Sequence, residues 1–406
     1  MLEKSINIIG LLYINSLMAK YIGPENFGKI NITTSLFVFV QTLSWFGGQN
    51  IIFKRMSEKA ASGIAMAIHT QNQRRFFFLL SSGAVLIALS LFSDPVVFAF
   101  GVANCIATYF IVMDFFSVYN NTQLKSKINT ITNVIGLSVA LLIRFLVSHF
   151  KMPVYYFTIP IVIIPLVPYI MRLIYFHYTT EVKARAKGGK IYNLHLLYTG
   201  GALILSSLSA DIYTQVSSLF LARILTYSDL GVYSVALTLG GAWSFIVLAL
   251  ITSFFSRIYS EKNPLVVERL LVNINRLVIL LSLVMLGGFA VFGDDVIRLL
   301  YGESYSDAVA IIPVIIIGTM FSSLGTICYR YIIKVSGYSY LAKKMFLCCL
   351  FTIPLSWLMI HAFGIKGAAY CFLIVELLSC TLLNYFFKDK TIFKMHLGIF
   401  KSRGSA

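Results

Sequence analysis

Charge is what this sequence has least of. Only 12% of its 406 residues are Asp, Glu, Lys or Arg, against about a quarter in a typical soluble domain, and just 16 are acidic. An ordinary water-soluble fold is excluded by that scarcity. Histidine is also sparse, at six residues, and none has metal-ligand spacing. No phosphate-cradling glycine loop or nucleophile elbow is present, and no loop is long enough to make a soluble catalytic domain. The six cysteines (Cys105, Cys328, Cys348, Cys349, Cys371, Cys380) lie in or beside apolar segments without CxxC or Cys/His ligand spacing. They read as small buried hydrophobes rather than as metal or disulfide chemistry, and no resident metal or cofactor is expected.

What fills the chain instead is apolar, with 58% hydrophobic and 15% aromatic residues. A spanning helix needs about 20 mainly apolar residues. Twelve such windows fall near 5–20, 30–50, 76–93, 95–116, 131–148, 154–175, 195–219, 231–255, 276–293, 308–328, 344–361 and 367–387. The first is short and interrupted by Asn7 and Asn15, but no small-x-small cleavage site follows it, so it reads as an uncleaved span.

The net charge of +17 would suggest nucleic acid in a soluble protein. Its placement argues otherwise. With the N-terminus inside, most of the 33 Lys and Arg fall on inner loops and helix ends, as the positive-inside rule requires. The expectation is a multi-pass membrane protein with both termini cytoplasmic, contacts to membrane lipids and no nucleic-acid partner.

An internal repeat organises the spans. MAKYIGPENFGKI (18–30) aligns without gaps with LARILTYSDLGVY (221–233), offset by half the chain, and FKRMSEK (53–59) faces FSRIYSEK (255–262). The second match pairs Arg55 with Arg257. Six spans per repeat is even, so the two halves are parallel copies related by an axis along the membrane normal. The fold class expected is an all-α polytopic membrane protein of twelve helices in two pseudo-symmetric six-helix lobes around a central cavity. The lobes are 1–178 and 195–406, joined by a cytoplasmic linker at 179–194 that contains KARAKGGK. At the outer turns, Glu25-Asn26 and Ser228-Asp229 are placed to cap the helix that follows.

Polar residues inside the spans mark candidate sites, because a charge at the bilayer centre costs about 2.5–3.5 kcal/mol and must face a cavity or a partner. Asp211 shares a helical face with Ser207, Thr214 and Ser218, too polar for lipid, which lines a cavity or packs against another helix. Glu376 stands in the apolar run CFLIVELLSC as an ion-coupling site or a paired structural carboxyl. Asp114 lies near the cytoplasmic end of the fourth span, where snorkelling or local pairing is the simpler account. Arg144 sits near an outer helix end against the positive-inside bias, as a substrate contact or a snorkelling side chain. Arg55 and Arg257 read either as inner anchors or as guanidinium forks suited to anionic oxygens.

The outer turn KYIGPENFGKI, the basic FKRMSEK, the run DDVIRLLYGESYSDAVAIIP (294–313), and KVSGYSYLAKKMF (334–346) followed by HAFGIKGAAYC (361–371) together resemble the Wzx-type polysaccharide biosynthesis, or O-antigen, flippases. These belong to the multidrug/oligosaccharidyl-lipid/polysaccharide superfamily. The resemblance implies translocation of undecaprenyl-diphosphate-linked oligosaccharide repeat units across a bacterial inner membrane by alternating access. It further implies a monomer coupled to a proton or sodium gradient, working alongside a polysaccharide polymerase and chain-length proteins. Related peptidoglycan lipid flippases use cavity arginines on their second and eighth helices, and Arg55 and Arg257 end the corresponding helices here. Their first-helix arginine is matched only by Lys4 or Lys20 at the edges of a span. Substrate candidates are thus Arg55, Arg257, Arg144 and Asp211, with Glu376 and Asp211 for ion coupling.

Two other functions compete. An ion-coupled multidrug antiporter of the same superfamily would be expected to carry membrane carboxylates in its first lobe, and the first three spans hold none. A membrane polysaccharide polymerase or ligase would be expected to present a sizeable outer catalytic loop, and the longest outer segment is the short acidic stretch 294–307. The expectation is a transporter, not an enzyme.

Overall fold

The computed structural model describes residues 2–180, 189–388 and 390–400. Among the described residues all regular structure is helical. Nine helices are long and apolar enough to cross a membrane, or eleven when two bent pairs each count as a span. The chain forms two compact units, Met1–Asp211 and Ile212–Ala406.

The first unit begins with α1 (Leu2–Trp45), which is two helices separated by Gly23, where φ is 76° and ψ 168° ahead of Pro24. Contacts on either side of this break show that the chain reverses there. Tyr21 Oη donates to Met152 O at 2.9 Å and Lys29 pairs with Asp94 at 2.9 Å, so both flanks of Gly23 meet loops at one end of the unit. Moving away from Gly23 in both directions, Asn15 meets Arg144 and Thr33 meets Asn104, each well inside the neighbouring helices. Thus α1 holds two antiparallel crossings. With that division the bent-pair count of eleven becomes the expected twelve.

Following α1 are α2 (Gly48–Glu58), α3 (Ala60–His69), α4 (Gln71–Phe92), α5 (Pro95–Met113), α6 (Phe115–Thr122), α7 (Ser126–His149) and α8 (Thr158–Thr179). The break between α1 and α2 bends the span by 48°. Glycine is required at this break. Gly47 has φ of 71°, and a Cβ added there would lie 2.8 Å from Leu203 Cβ and 3.1 Å from Gly200 O. Leu203 and Gly200 belong to α9 (Gly189–Ile224), whose residues up to Asp211 pack with the first unit. The division between units therefore falls inside a helix that the repeat assigns wholly to the second lobe. Half of the expected linker 179–194, residues 181–188, lies outside the described residues.

The second unit comprises the rest of α9 with α10 (Tyr227–Ala242), α11 (Ser244–Ser260), α12 (Pro264–Leu300), α13 (Ala308–Lys334), α14 (Tyr338–Phe363), α15 (Ile365–Cys380), the short α16 (Leu382–Tyr385) and α17 (Thr391–Phe400). Its second span, Tyr227–Ser260, is continuous: Trp243, between α10 and α11, has helical backbone angles. The turn before α10 is closed by a capping box: Thr226 Oγ1 accepts from Asp229 N at 3.1 Å, and Asp229 accepts from Thr226 N. Asp229 is thus the third helical residue of the box, and the cap itself is Thr226 rather than Ser228. In the first unit the matching residues do not cap: Glu25 pairs with Lys29, and Asn26 Nδ2 donates to Ile22 O.

Lipid-facing surfaces account for the exposed apolar side chains. Phe76, Leu79, Leu80, Ile87 and Leu91 recur along one side of α4 at helical spacing, each more than 60% exposed. In water such a stripe would drive aggregation; in hydrocarbon it is the outer wall of the protein.

Candidate functional site

The second spans of the two units share a feature that bears on function. The first is bent by 48° at Phe46-Gly47, the second runs from Tyr227 to Ser260 as one span with helical backbone at Trp243, and each carries an arginine in its last turn, Arg55 on α2 and Arg257 on α11. The irregular backbone at Phe46-Gly47 is covered by Gly200 and Leu203 of α9, as burial in a membrane requires.

Arg55 is exposed and lines a cleft of about 380 Å³ in the first unit, together with Asn50, Lys54, Glu58, His195 and Thr199. Its Nε donates to Ser62 Oγ at 3.0 Å, which orients the guanidinium while leaving the terminal nitrogens facing the cleft. Arg257 is exposed in the last turn of α11, near Glu261, which directly follows the span Tyr227–Ser260. Backbone N–H groups of Asn263 and Lys262, with Arg257 and Lys334 nearby, hold the Glu261 carboxyl below the usual glutamate range. The Lys334 ammonium closes this corner from α13 by donating to Ile258 O and Glu261 O.

The other expected residues are placed separately. Arg144 is half-buried inside the first unit and donates to Asn15 Oδ1. This joins the two asparagine- and arginine-bearing spans; the arginine does not snorkel free of the protein. Asp211 is hydrogen-bonded to the Thr42 side chain, so its face meets the second span of its own unit. Thr214, one turn further along the same face, instead borders a cavity of about 90 Å³ in the second unit, with Tyr213, Ser217, Thr352, Cys371 and Glu376. Glu376 is buried and accepts a hydrogen bond from Tyr213 Oη and another from Ser322. Paired, neutralised or proton-exchanging, a carboxyl held by two hydroxyls can change protonation without moving its partners.

Two buried cations escape a reading by composition. Arg172 pairs with Asp114 and also reaches Thr132 Oγ1 at 3.0 Å and Asn133 Oδ1. Asp114 is therefore a buried ion-pair partner, which is the local pairing expected of it. Arg74 is fully buried, donates to Val112 O at 2.9 Å and Ala67 O at 2.8 Å, and lies 4.8 Å from the centre of the Trp45 ring. Its guanidinium satisfies exposed carbonyls where α3 and α5 end. The alternation of Arg74 and Arg75 at a helix start shows only an inner-loop anchor in sequence; which of them turns inward depends on contacts made 38 residues away.

An all-helical fold with nine to eleven helices long and apolar enough to cross a membrane, among the described residues, defines a multi-pass membrane protein. Residues 17–310 match the family described as polysaccharide biosynthesis protein, and the chain belongs to that family. No curated protein matches it. Among solved structures it is similar to the lipid II flippase MurJ in an inward closed conformation, at 15% identity over 97% of this chain and 89% of that chain, with a TM-score of 0.70. It is also similar to an inward-facing multidrug resistance MATE family transporter of the MOP superfamily, at 12% identity over 96% and 94% of the two chains and a TM-score of 0.67. A eukaryotic MATE transporter, AtDTX14, matches at 13% identity over 97% and 94%, with a TM-score of 0.56. At such identities the likeness is one of fold.

Proposed function

We propose that the protein is a flippase that carries polyprenyl-diphosphate-linked oligosaccharide repeat units from the inner to the outer leaflet of a bacterial cytoplasmic membrane, for assembly of a surface polysaccharide such as O-antigen. The single observation that carries this reading is the pair of equivalent helix ends, each with an arginine in its last turn. Membership of a polysaccharide biosynthesis family supports the substrate class, and the fold supports translocation rather than polymer chemistry. The excess of Lys and Arg at the Arg55 end makes that end cytoplasmic, and Gly23 then lies at the outer face.

In this reading Arg55, with Lys54 and His195, receives the diphosphate from the cytoplasmic leaflet through charge-assisted hydrogen bonds, and Arg257 serves the equivalent position in the second unit. Arg144, deeper and nearer the outer face, is the next cationic position along the path. Glu376, on two hydroxyl donors, is the carboxyl through which a proton or sodium gradient is coupled. Polyprenyl chains need no protein path, because they remain in hydrocarbon while only the polar head crosses.

The test is a strain lacking the protein, complemented with wild type or with Arg55→Ala, Arg257→Ala and Asp211→Ala at equal expression. Lipid-linked repeat units reaching the outer leaflet should be lost in the deletion and reduced at least about tenfold in both arginine variants, the loss of roughly one charge-assisted contact. Normal outer-leaflet arrival in the deletion strain would refute the flippase reading; dependence on the protein with fully active arginine variants would refute only the site.

A further inference from the structure

The second unit brings together three metal-ligating side chains that are distant in sequence and have no part in the proposed transport path. Cys328 Sγ near the end of α13, Cys380 Sγ at the end of α15 and a ring nitrogen of His396 on α17 all lie within 4.8 Å of one another. Cys328 Sγ is 3.5 Å from His396 Nε2. Both cysteines are buried and neither forms a disulfide. The other ring nitrogen, Nδ1, is 3.1 Å from Tyr385 Oη, which fixes the ring and directs Nε2 at the sulfurs.

From this geometry we infer that Cys328, Cys380 and His396 form a zinc site that fastens α17 to the ends of α13 and α15. Zinc bonds of about 2.3 Å to sulfur and about 2.0 Å to nitrogen, at a tetrahedral angle, place those two ligands about 3.5 Å apart. That is the separation found between Cys328 and His396. Two thiolates and Zn2+ sum to zero charge, so the loaded site avoids the cost of an uncompensated buried ion; its formation releases the two thiol protons. Tyr385 supplies the outer hydrogen bond that ligating histidines ordinarily make. A fourth ligand would come from solvent, since α17 lies at the end of the unit that also bears Arg257.

The surrounding contacts hold the ligands in place without metal. Ile392 and Met395 bury one face of α17, Arg276 Nε donates to Ile399 O at 2.8 Å, and Lys388 Nζ donates to Val335 O at 3.1 Å. The ion would therefore add stability to a helix already docked, not create its position. Sequence spacing hides the site, because its ligands come from three helices of the second unit and no two are neighbours in the chain.

The test uses the full chain purified in detergent with reductant, titrated with Co2+ as a spectroscopic probe and then with Zn2+. Wild type should bind about one Co2+, with a thiolate-to-cobalt charge-transfer band and tetrahedral d–d bands that Zn2+ abolishes. Cys328→Ser/Cys380→Ser should lose the band although four other cysteines remain, and Tyr385→Phe should keep it with affinity reduced by about 10–100-fold. Zn2+ should raise the melting temperature of wild type and not of the double variant. Absence of the charge-transfer band in reduced wild type, its persistence in the double variant, or a Cys328–Cys380 disulfide in the protein as isolated would overturn the assignment.

Discussion

The two units repeat a backbone plan and diverge in chemistry. The first stores cations within its spans: Arg74 on carbonyls and the Trp45 face, Arg172 on Asp114, and Arg144 on Asn15. The second holds buried Glu376 on Tyr213 and Ser322, with hydroxyls of Ser217 and Ser356 3.0 Å apart nearby. Both units keep an arginine in the last turn of the second span, while the buried arginines lie in the first and the second buries a carboxyl with Lys344 nearby. Under the proposed transport reading, most of the anion-binding positions fall in the first unit and the ion-coupling carboxyl in the second.

The largest expected effect comes from splitting the ion pair on which the first unit depends. Arg172→Ala should cost roughly 3–5 kcal/mol, because Asp114 is left buried without its partner. A joint apolar replacement of both residues should recover most of that loss. Glu376→Gln keeps an acceptor for Tyr213 and should cost only about 1 kcal/mol. Melting of the purified protein in detergent compares the three, and equal losses at Arg172 and Glu376 would erase the contrast between the units.

The second spans offer a further comparison. Gly47→Ala should destabilise by roughly 1–3 kcal/mol, since the new Cβ meets Leu203 in a left-handed backbone conformation. Gly241, within the continuous second span of the other unit, has open space around its would-be Cβ and lies in a helix. Gly241→Ala should therefore be neutral or stabilising by up to about 1 kcal/mol. Melting temperatures of the two variants should move in opposite directions or not at all in the second.

Smaller effects separate the turns and corners. Thr226→Ala removes a capping box and should cost about 1 kcal/mol, whereas Asn26→Ala at the matching turn, where no box exists, should cost a few tenths. At the corner after α11, the Glu261 carboxylate accepts Lys262 N and Asn263 N at 2.9 Å each. Its folded pKa is depressed, so its contribution is complete above the ordinary glutamate value and is lost as pH falls through the folded value. A carbon NMR titration should show the Glu261 midpoint below that of a model glutamate.

How much of this was legible depended on whether the determinant was local. Apolar length placed the spans, and the Gly23-Pro24 pair placed the reversal between the first two. The repeat placed Arg55 and Arg257 at equivalent helix ends. Nothing local marked Thr226, rather than Ser228, as the cap, because the choice depends on how the chain leaves α9. Nothing in the run IMRLIY marks Arg172, and only the packing of α8 against α5 brings it to Asp114, 58 residues away. Arg144 was noticed for its charge at the wrong end, but its partner Asn15 lies 129 residues earlier. The cysteines read as packing residues on their spacing, which does not register the approach of Cys328, Cys380 and His396 from three helices.

Reconstitution offers the most direct test of the transport reading. Purified protein in proteoliposomes would be given a short-chain, fluorescent polyprenyl-diphosphate oligosaccharide, and its transfer between leaflets followed by accessibility to a membrane-impermeant reductant. Protein-dependent transfer, reduced at least about tenfold by Arg55→Ala or by Arg257→Ala, is the expected result. Transfer no faster than in protein-free vesicles, with or without a proton or sodium gradient, would contradict it.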